Sequence, residues 1–255
     1  MGDQAHKTEQ FRALHIPGKP LVLFNIWDAS STRAVAAGGA KAIATSSWSV
    51  ASANGFVDGE RIPLALAIEN LRRIVGATDL PVTVDLESGY GATSEVVGET
   101  IRLAIDAGAV GCNLEDSFPE NGKLRETPDQ VGRIRRARQT ADATSIRFFI
   151  NARTDVFFQR PPEQHDDAMV VEVIARARAY AEAGADGLFA PGLADIALIA
   201  RLAKASPLPV NIMIGDATPP VHALAKHGIA RASHGPRPYL IAMKTLEDGA
   251  RGTAA

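Results

Sequence analysis

Cysteine is almost absent: the chain has one, Cys112, so no internal disulfide can form and nothing ties the sequence to an oxidising compartment. A surplus of one charge is absent as well. With 27 Lys and Arg against 29 Asp and Glu, the formal charge is −2, and there is no electrostatic reason to expect nucleic acid or an anionic membrane surface as a partner. No apolar run approaches the roughly 20 residues needed to span a bilayer. The polar start, Met1 to Lys7, lacks the apolar core of a signal peptide, and residue 6 is His where myristoylation needs Ser or Thr. These absences lead to the expectation of a cytoplasmic protein with no membrane partner. No Pro-, Ser- or Gly-rich linker divides the 255 residues, so residues 1–255 read as one domain. A hydrophobic fraction of 46% with 22% charged residues is that of a globular chain able to bury a substantial core.

What the sequence does have is a repeated joint. Ala37-Gly38-Gly39-Ala40, Ala107-Gly108-Ala109, Ala183-Gly184-Ala185 and His227-Gly228-Ile229 each stand between a helix-like segment and an apolar run. Glycine just past a helix supplies the left-handed residue that ends it, and the chain then re-enters a sheet. Counting outward from the joints predicts strands beginning near Leu21, Lys41, Leu80, Val110, Arg147, Gly187, Pro209 and Ile229. Helices are predicted at Thr32–Ala37 (capped by Ser30 or Ser31), Pro63–Val75, Glu95–Ala107, Pro128–Thr140, Asp167–Ala183, Ala194–Ala205, Pro220–His227 and Pro238–Asp248. A leading amphipathic helix, Gln4–Leu14, precedes them. Eight alternating units of this size fit an α/β (β/α)₈ TIM barrel. A doubly wound open sheet is the alternative, and no Gly-rich fingerprint follows the first strand to support it. Two connections exceed a tight turn, Ser47–Ile62 and Phe118–Thr127, and the second, polar and glycine-bearing, reads as a lid.

Further absences narrow the chemistry. The lysines all fall in loops, strand starts or helices, so a Schiff-base lysine inside the barrel is missing. There is no Gly-x-Ser-x-Gly elbow and no His/Cys set at tetrahedral zinc spacing. Cys112, in mid-strand, reads as an inert buried hydrophobe, and His222 and His227 as bystanders. Present instead are carboxylates at predicted strand ends. In Val82-Thr83-Val84-Asp85-Leu86-Glu87, strand alternation puts Asp85 and Glu87 on one face, and Asn113 and Glu115 share a face in Cys112-Asn113-Leu114-Glu115-Asp116. Such a cluster calls for a cation, and hard oxygen ligands point to Mg²⁺ or Mn²⁺. Asn151, Arg153 and Asp155 alternate on the fifth strand, bringing a guanidinium that can hold a substrate carboxylate. Asp28, Ser46, Asn211 and His234 reach the same rim, with Ser46 and Asn211 as candidate substrate contacts, whereas Asp116 and Asp155 read as partners of neighbouring loops. Gly215-Asp216 and Ser233-His234-Gly235-Pro236 fall where many barrels bind phosphate.

From Leu21 to Gly235 the chain resembles the isocitrate lyase/phosphoenolpyruvate mutase family. The resemblance rests on Ser46-Ser47-Trp48 with Gly55-Phe56-Val57-Asp58, on Asp85-x-Glu87-x-Gly89-Tyr90-Gly91, on Asn113-x-Glu115-Asp116 and on Asn151-Ala152-Arg153-Thr154-Asp155. It implies a Mg²⁺-dependent barrel, a homotetramer (a dimer of dimers) whose last helix is exchanged between subunits, acting beside a 2-oxo acid or enolpyruvate. By the same resemblance Asp85 touches the metal, Glu87 and Glu115 hold its waters, and Asp58 supports the site. Ser47 and Trp48 offer backbone N–H groups to substrate oxygens, and Arg153 binds substrate, so Arg153, Ser47, Trp48 and Glu115 form the expected catalytic set. Three features depart from the family pattern: Glu87 stands where Asp is usual, the lid Glu120-Asn121-Gly122-Lys123-Leu124 carries no Cys, and Ala190-Pro191-Gly192 replaces a phosphate-binding His. The expected function is therefore a lyase or decarboxylase working on a small 2-oxo or 2-hydroxy carboxylate through an enolate. P–C bond mutase or hydrolase chemistry on phosphonopyruvate is the alternative, and a non-catalytic 2-oxo acid-binding barrel the second alternative.

Overall fold

The glycine joints do end helices and start strands. In the computed structural model, which describes residues 2–253, Gly108 and Gly184 follow their helices at φ +97° and +101°, where only glycine is unstrained. In chain order the elements are α1 (Gly2–Ala13), β1 (Leu21–Leu23), α2 (Ala29–Ala37), β2 (Ile43–Ala44), α3 (Ser47–Ala53), α4 (Leu64–Val75), β3 (Val82–Asp85), α5 (Ser94–Asp106) and β4 (Gly111–Glu115). They continue with α6 (Thr127–Asp142), β5 (Phe149–Arg153), α7 (Asp167–Glu182), β6 (Gly187–Phe189), α8 (Ile196–Ala205), β7 (Val210–Met213), α9 (Val221–Lys226), β8 (Arg231–Ser233) and α10 (Arg237–Thr253).

All strand pairs are parallel, in the order β1-β8-β7-β6-β5-β4-β3-β2. A bridge between Ile26 and Thr45 closes the ring, with Ile26 N–H on Ala44 O at 2.8 Å and Ser46 N–H on Ile26 O at 3.1 Å. The expected (β/α)₈ barrel is thus the fold. At the seam the first strand is shorter than its apolar run. The Asn25 side chain takes over the bonding there, donating to Thr45 O at 2.8 Å and accepting the N–H groups of His234 and Gly235 at 2.9 and 3.0 Å.

Two local expectations are corrected. The cap of α2 is Asp28, which accepts Ser31 N–H at 2.7 Å while Ser31 Oγ accepts Asp28 N–H at 3.0 Å, so the helix starts before Thr32. The Ser47–Ile62 connection contains α3, capped by Ser46, because small residues follow a side chain able to accept the orphan amide of Ser49.

The strands' outer faces pack on the helices in two large apolar clusters, and a third fills the barrel's lower end, where Phe11 of α1 meets Leu21, Leu23 and Phe149. The leading helix is therefore a plug, held by Gln4 Nε2 on the carbonyls of Ile105 and Ala109 at 2.8 and 2.9 Å. Above the plug the interior narrows around Gly187, where an added Cβ would lie 2.7 Å from Asn151 Oδ1 and 3.0 Å from the Phe149 ring. Gly187→Ala is expected to cost about 1–3 kcal/mol by overpacking, measured by denaturant melts. Among the described residues no helix is long and apolar enough to cross a membrane.

Candidate active site

A cavity of about 180 Å³ opens where the strands end. Ser46, Ser47, Trp48, Asp58, Asp85 and Arg153, all singled out in the sequence, line it together. Asp85 ends β3, its own N–H donates to Thr45 Oγ1 at 2.8 Å, and its Oδ2 accepts Ser47 N–H at 3.3 Å. Trp48 is the second residue of α3, so its N–H has no intrahelical acceptor and is free for a ligand oxygen. Asp58 comes from the loop after α3, and burial followed by the negative Asp85 raises its carboxyl above the usual range.

Glu87 and Glu115 do not line the cavity. Strand alternation carries as far as Asp85, where β3 ends; Glu87 then takes φ +51° and leaves the pleat. Glu60 and Tyr90, at φ +58° and +56°, share this left-handed conformation, which costs a non-glycine residue roughly 1 kcal/mol or more. Hydrogen bonds hold the three in place. Glu60 N–H donates to Glu87 Oε2 at 2.6 Å, Tyr90 Oη donates to Glu87 Oε1 at 3.3 Å, and Glu60 Oε1 accepts Ser88 Oγ–H and Tyr90 N–H at 2.7 and 2.8 Å.

Burial, then the charges of Asp58 and Asp85, push the Glu87 carboxyl up to about 8 from 4.5. Between those values the folded state holds the extra proton, so the associated stability is complete below the unfolded pKa and is lost as pH rises through about 8. The metal-free protein should therefore melt lower at pH 9 than at pH 6, by roughly 5 °C, if even 2 kcal/mol of this survives relaxation. A divalent cation should reduce the drop, as read by calorimetry with and without Mg²⁺.

Glu115 stands behind the cavity, paired with the guanidinium that faces it. Arg153 Nη1 lies 2.8 Å from Glu115 Oε2, and its Nε and Nη2 donate to Asp155 at 2.6 and 2.9 Å. Although burial opposes its charge, Glu115 and Asp155 hold Arg153 firmly protonated. Burial lifts the Glu115 carboxyl, and Arg153 opposes that lift. Ser117 Oγ lies 2.9 Å from both Glu115 Oε1 and Asp155 Oδ2, and its one proton can serve either. Fully buried Asp116 anchors the group from below by accepting Asp155 N–H at 2.9 Å, Tyr180 Oη–H at 2.7 Å and Arg176 Nη1–H at 3.2 Å. The lid turns back through Phe118 N–H on Lys123 O at 2.8 Å, and none of its residues lines the cavity.

The remaining candidates lie elsewhere. Asn211 sits inside the barrel, accepting Ser233 Oγ–H at 2.8 Å, two residues before the cavity-lining Met213. His234 faces a separate cavity with Asp216 and Arg237, Asp28 caps α2, and Cys112 is buried, with its thiol pushed up by that burial. Ser233, Gly235 and Pro236, part of the segment expected to bind phosphate, line the cavity, whereas Phe158, Phe189 and Asn113 were not singled out as lining residues. Of these Asn113 carried a signal, its shared face with Glu115.

The donor set fits a hard cation. Asp58 and Asp85 meet in one cavity, the charge of Asp85 helps raise the Asp58 carboxyl, and among the described residues the only lining counter-charge is an arginine already bound by two other carboxylates. Among the described residues no three His, Cys, Asp or Glu side chains converge to chelate an ion directly. Mg²⁺ commonly keeps several waters and takes only one or two protein carboxylates, so this arrangement suits it.

The family model of phosphoenolpyruvate phosphomutase matches residues 11–254. Over 245 residues the chain is 33% identical to an uncharacterized protein of Mycobacterium tuberculosis, covering 96% of this chain and 88% of that one. It is 32% identical to 2-methylisocitrate lyase of Escherichia coli, over 81% and 73% of the two chains. Identity to an oxaloacetate decarboxylase of Pseudomonas savastanoi is 28%, over 73% and 63%. A crystal structure from Burkholderia cenocepacia, described as a candidate phosphonomutase, superposes with a TM-score of 0.96 at 58% identity, over 98% of this chain and 99% of that one.

Proposed function

Because the chain belongs to the phosphoenolpyruvate phosphomutase family, we propose that it is a Mg²⁺-dependent lyase or decarboxylase acting on a small 2-oxo or 2-hydroxy carboxylate through an enolate. The observation that carries this reading is the cavity's charge pattern. Two carboxylates face one guanidinium, and no second basic side chain lines the 180 Å³ space among the described residues. A small acid held by one carboxylate and by a cation satisfies that pattern. A substrate bearing a phosphonate or three carboxylates brings more negative charge than the cavity can match.

When bound, Mg²⁺ would supply Lewis-acid polarisation of the substrate's oxygens; Asp85 would hold it with Asp58 in support, and Glu87 and Glu115, outside the cavity lining, would act only on its hydration. The protein's own groups do the rest. Arg153, fixed by Glu115 and Asp155, orients the substrate carboxylate, and the Trp48 N–H meets oxygen charge as the enolate develops. The rings of Phe158 and Phe189 stand 5.8 and 5.9 Å from the guanidinium and give the cavity an apolar wall beside the substrate carboxylate.

The Burkholderia cenocepacia relative's description keeps P–C chemistry as a second reading. Phosphorus NMR with phosphonopyruvate and Mg²⁺ separates the two. No new phosphate or phosphate-ester signal is expected, and either one forming at a catalytic rate would overturn the order.

The same reading includes a homo-oligomer. α10 exposes Leu240, Ile241, Met243 and Leu246, while an apolar groove of about 790 Å³ runs along Val22, Phe24, Val35 and Ile16. That groove is the place beside β1 and α2 where a barrel's last helix would pack, and α10 of a second copy would fill it. A cytoplasmic location accords with the lone buried thiol.

A further inference from the structure

One amide at the cavity floor has its direction fixed from below. On β4, Asn113 stands in register with Asp85 of β3 on one side and Asn151 of β5 on the other. Its Oδ1 accepts Asn151 Nδ2–H at 2.9 Å and Arg231 Nη2–H at 3.3 Å. Which end of an asparagine amide is oxygen follows from its partners, and a guanidinium only donates. Arg231 is 1% exposed and its guanidinium can only donate, so the Asn113 oxygen faces it. The Nδ2 hydrogens then point the other way. Asn113 lines the cavity, and its Nδ2 has no hydrogen-bond acceptor among the described residues.

This tier is unusual for a barrel interior, which is ordinarily filled by branched aliphatic side chains. Here it holds Asn113, Asn151, Asn211 and Arg231, with Arg231 in register beside Asn211. Arg231 Nε and Nη1 have no partner among the described residues, a cost that apolar packing would have avoided. The bond it does make is the one that orients Asn113.

We propose that Asn113 is a substrate-binding residue whose Nδ2 donates to an oxygen of the bound acid beside Asp85, and that Arg231 is the positioning residue that aims it. The proposal rests on the reading of the site as one for a small 2-oxo or 2-hydroxy carboxylate. A donor fixed in this place matches a carboxylate, carbonyl or hydroxyl oxygen. It mismatches an ammonium, whose hydrogens would meet its own, so the site selects against the corresponding 2-amino acid.

Oxalate, a small dianion with four acceptor oxygens, is the probe, titrated calorimetrically with Mg²⁺ present. Asn113→Asp keeps the shape and the bond to Arg231 but turns an acceptor and a charge into the cavity, and should bind oxalate about 100-fold more weakly than the wild type. Arg231→Met should weaken binding about tenfold in the wild-type background and not at all in Asn113→Ala, because its effect passes through the amide. Arg231→Lys should recover most of the loss. Thermal melts check that each variant folds, and if Arg231→Met does not, Asn113→Asp carries the test alone. Unchanged oxalate affinity in Asn113→Asp would overturn the inference while leaving the functional reading intact. An equal loss from Arg231→Met in both backgrounds would overturn the positioning role. Absence of oxalate binding by the wild type would overturn the functional reading and this inference together.

Discussion

Asp85→Ala is expected to lower turnover at least ~10³-fold, because it removes the carboxylate best placed to hold the cation that polarises the substrate. Its fold should survive. Asp85 accepts two long hydrogen bonds, from Ser47 N–H at 3.3 Å and Glu87 N–H at 3.4 Å, and forms no ion pair among the described residues, while its charge is among the causes that raise the carboxyls of Asp58 and Glu87. Deleting it relieves repulsion with Asp58 and Glu87 and also removes its attraction to Arg153 and Arg231, so the effects offset and the metal-free variant should melt close to the metal-free wild type. The combination separates a cation-holding role from a structural one. A buried carboxylate that served packing would lower the melting temperature when removed. Full activity in the variant, measured against whichever acid the wild type consumes, would sink the metal assignment.

The second large effect is expected at Arg153. Arg153→Met leaves Glu115 and Asp155 buried side by side without their shared cation, and breaking such a pair costs about 3–5 kcal/mol. At this size of domain that corresponds to a fall in melting temperature of roughly 10 °C. Turnover should fall with it, since the carboxylate-orienting group is gone. Arg153→Lys tests geometry apart from charge. A lysine keeps the positive charge but cannot reach Glu115 and Asp155 while presenting a planar fork to a substrate, so stability should recover more than activity does. Equal recovery of both would mean that Arg153 serves the fold alone.

Much of the barrel was legible because its punctuation is chemical. Glycine at Gly108 and Gly184 is demanded by a left-handed backbone, and that demand shows in the sequence wherever a helix must stop before a strand. The rim residues Ser46, Ser47, Asp85 and Arg153 were legible for a related reason: polar side chains ending apolar runs have to emerge at the same end of a parallel barrel; Trp48 and Asp58 came from the family resemblance alone. The misreadings occur where regular geometry stops. Glu87 lies past the last residue of β3 at φ +51°, so period-2 alternation no longer says which way it points. α3 hid inside a presumed loop because a seven-residue helix is too short to show a periodicity. Asn25 lay in an apolar run, and only the barrel seam, formed with residues 209 and 210 positions away, makes its amide necessary. Asn113 was placed on the right face, but its function depends on Arg231, whose position across the barrel no local pattern discloses.

The reaction itself gives the most direct test of the central claim. A panel of small 2-oxo and 2-hydroxy acids, oxaloacetate among them, would be incubated with the protein and followed by carbon NMR, with EDTA and then with Mg²⁺ restored. The account predicts carbon–carbon cleavage of at least one acid, stopped by EDTA and recovered with Mg²⁺. Cleavage that continues undiminished in EDTA would contradict it.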